Sequence, residues 1–378
     1  MVRSRNRRTP FSNLAIAVLG ALVWIFQAAV CHAQAGDERL VVGGSIAGKP
    51  ATFILDTGNQ QPFVITGADA KRFGLQADRE PPPEAAIFKA ISQPVPVVLL
   101  GGAEQQVSFA ILKEIVDQGF GQDVLIGWPE LKAQVIHYDR QRGILAINPD
   151  PQPRPANARS LPIIPGPDLM FDAGTEAAPL PVQVDTGWSG GVMLSAPLWN
   201  AWSRENPDLP RTYAWMYWLS TGDVALEQVL ASEFRLGRLT LRNVLVSPLP
   251  DGLTNTAAVI GLAAFGNHAL LVDGPGGSVW IGEPGAALVM PAYNRLGATF
   301  GPDLSAHVAD NSPAAQAGIR DGDVLVAIND QAPDSYAATV VGQVWAQPAG
   351  TTFQLTLRRA SELIERQVTL RDFLTGDP

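Results

Sequence analysis

Cysteine is all but missing: Cys31 is the single one in 378 residues, and it lies in a segment expected to be removed. A chain without thiols excludes disulfide frameworks, iron–sulfur clusters, thiolate zinc sites and cysteine catalysis. Histidine is scarce too. Beyond the first 35 residues only His137, His268 and His307 remain, too few and too scattered for a histidine metal site. Charged residues make up only 17% of the chain, and no basic run follows the first eight residues. A nucleic-acid partner is therefore not expected.

Those first residues stand apart. Arg3, Arg5, Arg7 and Arg8 precede an apolar run from Leu14 to Val30, followed by small residues around Ala33 and Ala35. A basic start, an apolar middle and a small-residue exit read as a secretory signal over residues 1–35, which implies a periplasmic or secreted protein. The alternative is an uncleaved membrane anchor, since a run of about 17 residues is near the lower limit for spanning. Without this segment the balance is 23 Lys and Arg against 36 Asp and Glu, a net charge of −13.

What the chain has in quantity is glycine (36) and proline (31), a mixture that favours short strands and turns over long helices. It also repeats itself. ATFILDTGNQQPFVI (Ala51 to Ile65) and LPVQVDTGWSGGVML (Leu180 to Leu194) each carry an apolar run into Asp-Thr-Gly and another out of it. Ile126-Gly127 and Ile260-Gly261 follow, 71 and 76 residues after the respective Asp. Asp139 and Asp273 come 12 residues after those glycines, and Gly143 and Gly277 four residues later. One Asp-Thr-Gly occurs by chance in roughly a few per cent of chains this long, but two with matched downstream spacing mark a duplication. The expected units are residues 36–148 and 161–284, joined by a proline-rich linker at 149–160, with a third unit at 291–378.

The residue types explain how such a duplication could do chemistry. Asp56 and Asp185 each end a buried strand, and Gly58 and Gly187 let backbone and amide N–H groups approach the carboxylates. The Thr57 and Thr186 hydroxyls can bond across a two-fold interface. If the halves pack face to face, two carboxylates about 3 Å apart share one proton and titrate as a unit. A water between them can be activated for hydrolysis without metal or cofactor. Asp139 and Asp273 read as hairpin-turn residues rather than catalysts.

These segments resemble the retropepsin/pepsin superfamily of aspartic peptidases. The resemblance covers residues 38–284 and implies a mostly β, bilobal pair of barrels with Asp56 and Asp185 as catalytic residues and Thr57, Gly58, Thr186 and Gly187 supporting them. The Ile-Gly elements match the signature that packs beneath each catalytic turn. The chain departs from the family after the triplets, with Asn59 and Trp188 in place of Ser or Thr. The first-half flap region, from Glu84 to Val98, offers Phe88, Pro94 and Pro96 but no Tyr. The second half has TYAWMYWLSTGDVAL, with Tyr213, Trp215, Tyr217, Thr221 and Gly222 as flap candidates; the alternative is that its aromatic cluster is core.

Gly187-Trp188-Ser189-Gly190-Gly191 also satisfies the G-x-S-x-G pattern of serine hydrolases. That chemistry requires a following helix and downstream Asp and His partners, whereas an apolar, strand-like run follows here. Further on, NSPAAQAGIRDGDVLVAIND (Asn311 to Asp330) resembles the bacterial PDZ domain pattern. Ser312-Pro313 opens a helix and Gly318 closes it. The resemblance implies a groove for C-terminal peptide tails, with Leu296, Gly297, Ala298, Thr299 and Phe300 as its carboxylate loop; the alternative is a module that braces the rest. Two functional readings follow. One is an aspartic endopeptidase acting on peptides or unfolded proteins. The other is a non-catalytic peptide-binding protein with the same fold.

Overall fold

A computed structural model describes residues 29–32, 39–82, 87–99, 102–113, 124–150, 152, 154–155, 157–175, 177–218, 222–250, 256–333 and 345–375. The protein is mostly β, with several sheets and a separate C-terminal unit.

Both halves repeat one arrangement around a central strand. Lys49–Asp56 carries Phe53, Ile54 and Leu55, all buried, and such apolar runs form strands covered on both faces. It pairs antiparallel with Val41–Ile46 and parallel with Val124–Gly127, which places Gly127 opposite Asp56. The strand leaving the turn, Phe63–Ile65, lies on the far side of Val124–Gly127. In the second half Pro181–Asp185 runs parallel to Ala258–Gly261 with Gly261 opposite Asp185, and Val192–Leu194 flanks the latter strand. A short helix follows each of these glycines, Trp128–Leu131 in one half and Leu262–Phe265 in the other. The duplication read from spacing is thus a duplication of topology.

A shared sheet joins the halves. Val135–Asp139 pairs antiparallel with Leu270–Asp273, Ile136 opposite Val272. Each belongs to a hairpin, with Ile144–Ile147 and Ser278–Ile281 as the outer arms. Asp139 accepts the Arg142 N–H and Asp273 the Gly276 N–H within those turns, the place expected for them. One apolar cluster runs through both halves, so they share a core. At the edge, Ala29–His32, inside the stretch read as leader, pairs with Ile144–Ile147. Arg159–Ile164, which begins at the end of the expected linker, pairs with Ser278–Ile281. The rest of the leader lies outside the described residues.

The C-terminal unit has its own core, including Phe300, Ile319, Leu325, Trp345, Leu355 and Leu370. Its main sheet is Val324–Ile328, Thr352–Arg359 and Glu362–Thr369. Ser312 caps helix Pro313–Gln316 by accepting the Ala315 N–H, as Ser does at helix starts. Asp323, 1% exposed, accepts two hydrogen bonds from the Arg359 guanidinium, which keeps a buried carboxylate paired.

Candidate active site

The two Asp-Thr-Gly turns meet. Thr57 N–H donates to Thr186 Oγ1 at 3.0 Å, and Thr186 N–H donates to Thr57 Oγ1 at 3.2 Å. Each hydroxyl then donates to the opposite strand, Thr57 to the Val184 carbonyl and Thr186 to that of Leu55. The threonines are 0% and 1% exposed, so these four bonds satisfy polar groups that water does not reach. They also hold the carboxylate stems in one geometry.

Above the threonines lie Asp56 and Asp185, half-buried and hydrogen-bonded to each other. Asp56 Oδ1 accepts the Gly58 N–H at 3.1 Å; Asp185 Oδ1 accepts those of Gly187 and Trp188 at 3.0 and 3.2 Å. The glycines leave room for the pairing. A Cβ on Gly58 would fall 2.5 Å from Asp185 Cγ, and one on Gly187 would fall 2.4 Å from Asp56 Cγ. Below each turn the expected Ile-Gly element is in place: Gly127 N–H bonds to the Pro62 carbonyl and Gly261 N–H to that of Gly191.

Burial between the halves pushes the Asp56 carboxyl well above the ordinary carboxylate range, and the charge of Asp185 pushes the same way. Asp185 is raised by burial, while its bonds to Asp56, Gly187 and Trp188 oppose the rise. The pair therefore retains one proton, held mainly on Asp56, into a pH range where a free carboxylate is ionised. A proton held more tightly in the folded than in the unfolded chain stabilises the fold in acid. That contribution is full below the ordinary carboxylate range and is lost as pH climbs through the raised value. Asp56→Asn escapes the loss, so its melting temperature should exceed the parent's at neutral pH and converge with it in acid. Thermal unfolding across pH checks this; a lower melting temperature at neutral pH would contradict it.

The serine-hydrolase geometry is not formed. Ser189 is followed by strand Val192–Leu194 rather than a helix. His268 Nε2 accepts the Arg242 N–H, and its Nδ1 faces the Gly282 carbonyl. His307 lies in the C-terminal unit, against Trp215.

The second-half flap candidates lie on a long hairpin of strands Arg211–Trp218 and Gly222–Leu236. Tyr213 and Trp215 do not stand free. Their rings lie 6.5 and 6.2 Å from the His307 ring, and Trp215 stacks at 25°. Gly222 opens the return strand; the Tyr217 side chain and Thr221 lie outside the described residues. In the first half, Phe88 is buried with Val64, Ala110 and Leu112, and Glu84 lies outside the described residues.

The segment expected as a carboxylate loop is largely strand. Ala298–Phe300 pairs with Ala306–Val308, and Leu296, Ala298, Thr299 and Phe300 are buried. The Leu296 and Gly297 N–H groups both donate to Asn294 Oδ1, at 3.0 and 3.2 Å. Asn294 Nδ2 donates to the carbonyls of Tyr213 and Ala298, and the Asn294 carbonyl accepts the Thr212 hydroxyl. A carboxamide thus fills the place read as a carboxylate cradle and ties it to the hairpin. Asn294→Ala leaves four side-chain bonds unmade, three of them buried, and is expected to cost about 3 kcal/mol, since each orphaned polar group costs roughly 1–3 kcal/mol. Chemical denaturation of the full chain measures it, and a loss under about 1 kcal/mol would show that water replaces the amide.

Three further side chains near the dyad, Asp168, Gln183 and Gln60, escaped sequence reading. Asp168 Oδ2 accepts the Gln183 Nε2–H at 3.0 Å, and the Gln60 side chain also bonds to Asp168. No local motif marks any of them.

Compared with known proteins, residues 305–359 match the family model of the PDZ domain. A search of curated proteins found none that matches this chain. The C-terminal unit therefore contains a PDZ domain, a class of module that binds peptides, over residues 305–359.

Proposed function

We propose that the chain is an exported aspartic endopeptidase in which Asp56 and Asp185 activate a water, with the PDZ domain controlling access of peptide substrates. The observation that carries this reading is the paired carboxylates, each facing the glycine of the opposite turn over a reciprocal threonine network. Such a pair is costly to fold, because burial and like charge both act against it. It is also suited to acid–base work.

The chemistry follows from the shared proton. Ionised Asp185 takes a proton from the water as it attacks the peptide carbonyl, while Asp56 donates its proton to the carbonyl oxygen. The resulting tetrahedral diol collapses when the leaving nitrogen is protonated through the same pair, and the C–N bond breaks. No covalent intermediate forms.

Contacts on the two faces of the hairpin support a gating role for the PDZ domain. His307 stacks on Trp215, which lies opposite Ala225 in the hairpin. The neighbours of Ala225, Val224 and Leu226, pack with Met193 and Trp188, and the Trp188 N–H reaches Asp185. A peptide tail at the PDZ domain that displaced the Asn294 side chain would break its bond to the Tyr213 carbonyl and loosen the hairpin's tie to that domain.

The second reading, a non-catalytic peptide-binding protein, is supported by the PDZ match alone and needs no chemistry at the paired carboxylates. Incubating the chain with an unstructured protein, while measuring peptide binding separately, distinguishes the two. Fragments cut at internal bonds are expected. Peptide binding with no cleavage from acid to neutral pH would favour the binding protein.

A further inference from the structure

The two halves place different charges at one repeated position. The residue before each catalytic Asp hydrogen-bonds back to an upstream leucine: Leu55 N–H to the Leu40 carbonyl and Val184 N–H to that of Leu169, both at 2.9 Å. Leu40 and Leu169 are therefore equivalent under the two-fold relation of the halves. The residues before them are Arg39 and Asp168. Both are half-buried, and among the described residues neither has a charged partner within salt-bridge distance.

Asp168 belongs to the floor of the site. Its partner Gln183 lies two residues before Asp185, on the same face of the strand, as alternation requires. Its other partner, Gln60, follows the first Asp-Thr-Gly turn. Leu169 N–H bonds to the Thr57 carbonyl, which fixes Asp168 beside the dyad. Its charge reaches Asp185, whose proton affinity it raises. The other side chains known to bond it are neutral amides, so it keeps capacity for a cation.

We infer that Arg39 and Asp168 are opposed specificity determinants, one on each side of the dyad, that select peptides with an acidic side chain on one side of the scissile bond and a basic one on the other. A two-fold symmetric cleft cannot tell a peptide's direction, and opposite charges at equivalent positions remove that ambiguity. The inference rests on the peptidase reading and names the substrate class of that site.

The test uses the full chain and a set of peptides of one sequence, with Lys, Glu or Gln placed in turn at each position flanking the cleaved bond. The parent should prefer Lys on one side and Glu on the other. Asp168→Asn should lower kcat/KM for the Lys peptide about tenfold relative to the Gln peptide, whatever its effect on the rate common to both. The exchange Arg39→Asp with Asp168→Arg should reverse the preferred order. Cleavage by the parent with no charge preference, or an Asp168→Asn profile equal to the parent's, overturns the inference and leaves the peptidase reading intact. A parent that cleaves no peptide sinks both.

Discussion

Asp56→Asn and Asp185→Asn should each lower the rate of cleavage of an unstructured protein by about 10³-fold or more, with the fold retained. General acid–base groups contribute about 10²–10⁴-fold, and in the proposed mechanism each carboxylate would serve as both partner and proton store. The substitution is nearly isosteric. Asn can still accept the Gly58 or Gly187 N–H bond, so the turns and the threonine network should survive. What disappears is the shared proton. The combination expected of Asp56→Asn is diagnostic: activity falls while stability at neutral pH rises, because burial no longer opposes an ionisable group at that position. A merely structural aspartate would lose stability on the same change. Comparable cleavage rates in parent and variant would contradict the dyad mechanism.

Gly187→Ala should be nearly as damaging, for a different reason. Its new methyl would occupy space 2.4 Å from the Asp56 carboxyl carbon, and the corresponding methyl at Gly58 would meet Asp185 at 2.5 Å. No carboxylate can stay in place under that contact. Displacing a reacting group by about 1 Å typically costs 10²-fold, so a loss of about 10²-fold or more in kcat/KM is expected from either substitution. Both should also lower stability, as the displaced carboxylate gives up its bond to its partner. Measured kcat/KM for Gly58→Ala and Gly187→Ala checks this. Full activity in either would mean that the carboxylates need not approach so closely.

Much of this arrangement could be read from residues alone because its signals are local. Apolar strands entering Asp-Thr-Gly, Ile-Gly at matched distances and the Ser-Pro helix start with its following Gly-Asp turn are short patterns. Each reflects a local demand of a strand, a cap or a turn. The mostly β class and the PDZ domain followed from such patterns.

What escaped depends on contacts between distant segments. Nothing near Tyr213 or Trp215 indicates that their neighbour is His307, some ninety residues on. Their aromatic, strand-like pattern suits a free flap as well as a docked one. Asn294 is one polar residue in a connector, and its role as the hub between hairpin and PDZ domain emerges only when Thr212, Tyr213 and Gly297 converge on it. Asp168 lies 17 residues before Asp185, in a turn without a motif, and gains meaning only through its equivalence with Arg39. Pairing between halves, such as Ile136 with Val272, is likewise invisible to local periodicity.

The most direct measurement is the pH dependence of peptide cleavage, with and without an inhibitor whose statine-type hydroxyl replaces the attacking water. Two carboxylates holding one proton between them predict a bell-shaped kcat/KM that falls in strong acid and again as the raised Asp56 proton is lost, with cleavage abolished by the inhibitor. A rate that keeps rising into alkaline solution, or cleavage indifferent to the inhibitor, would mean that some other group performs the hydrolysis.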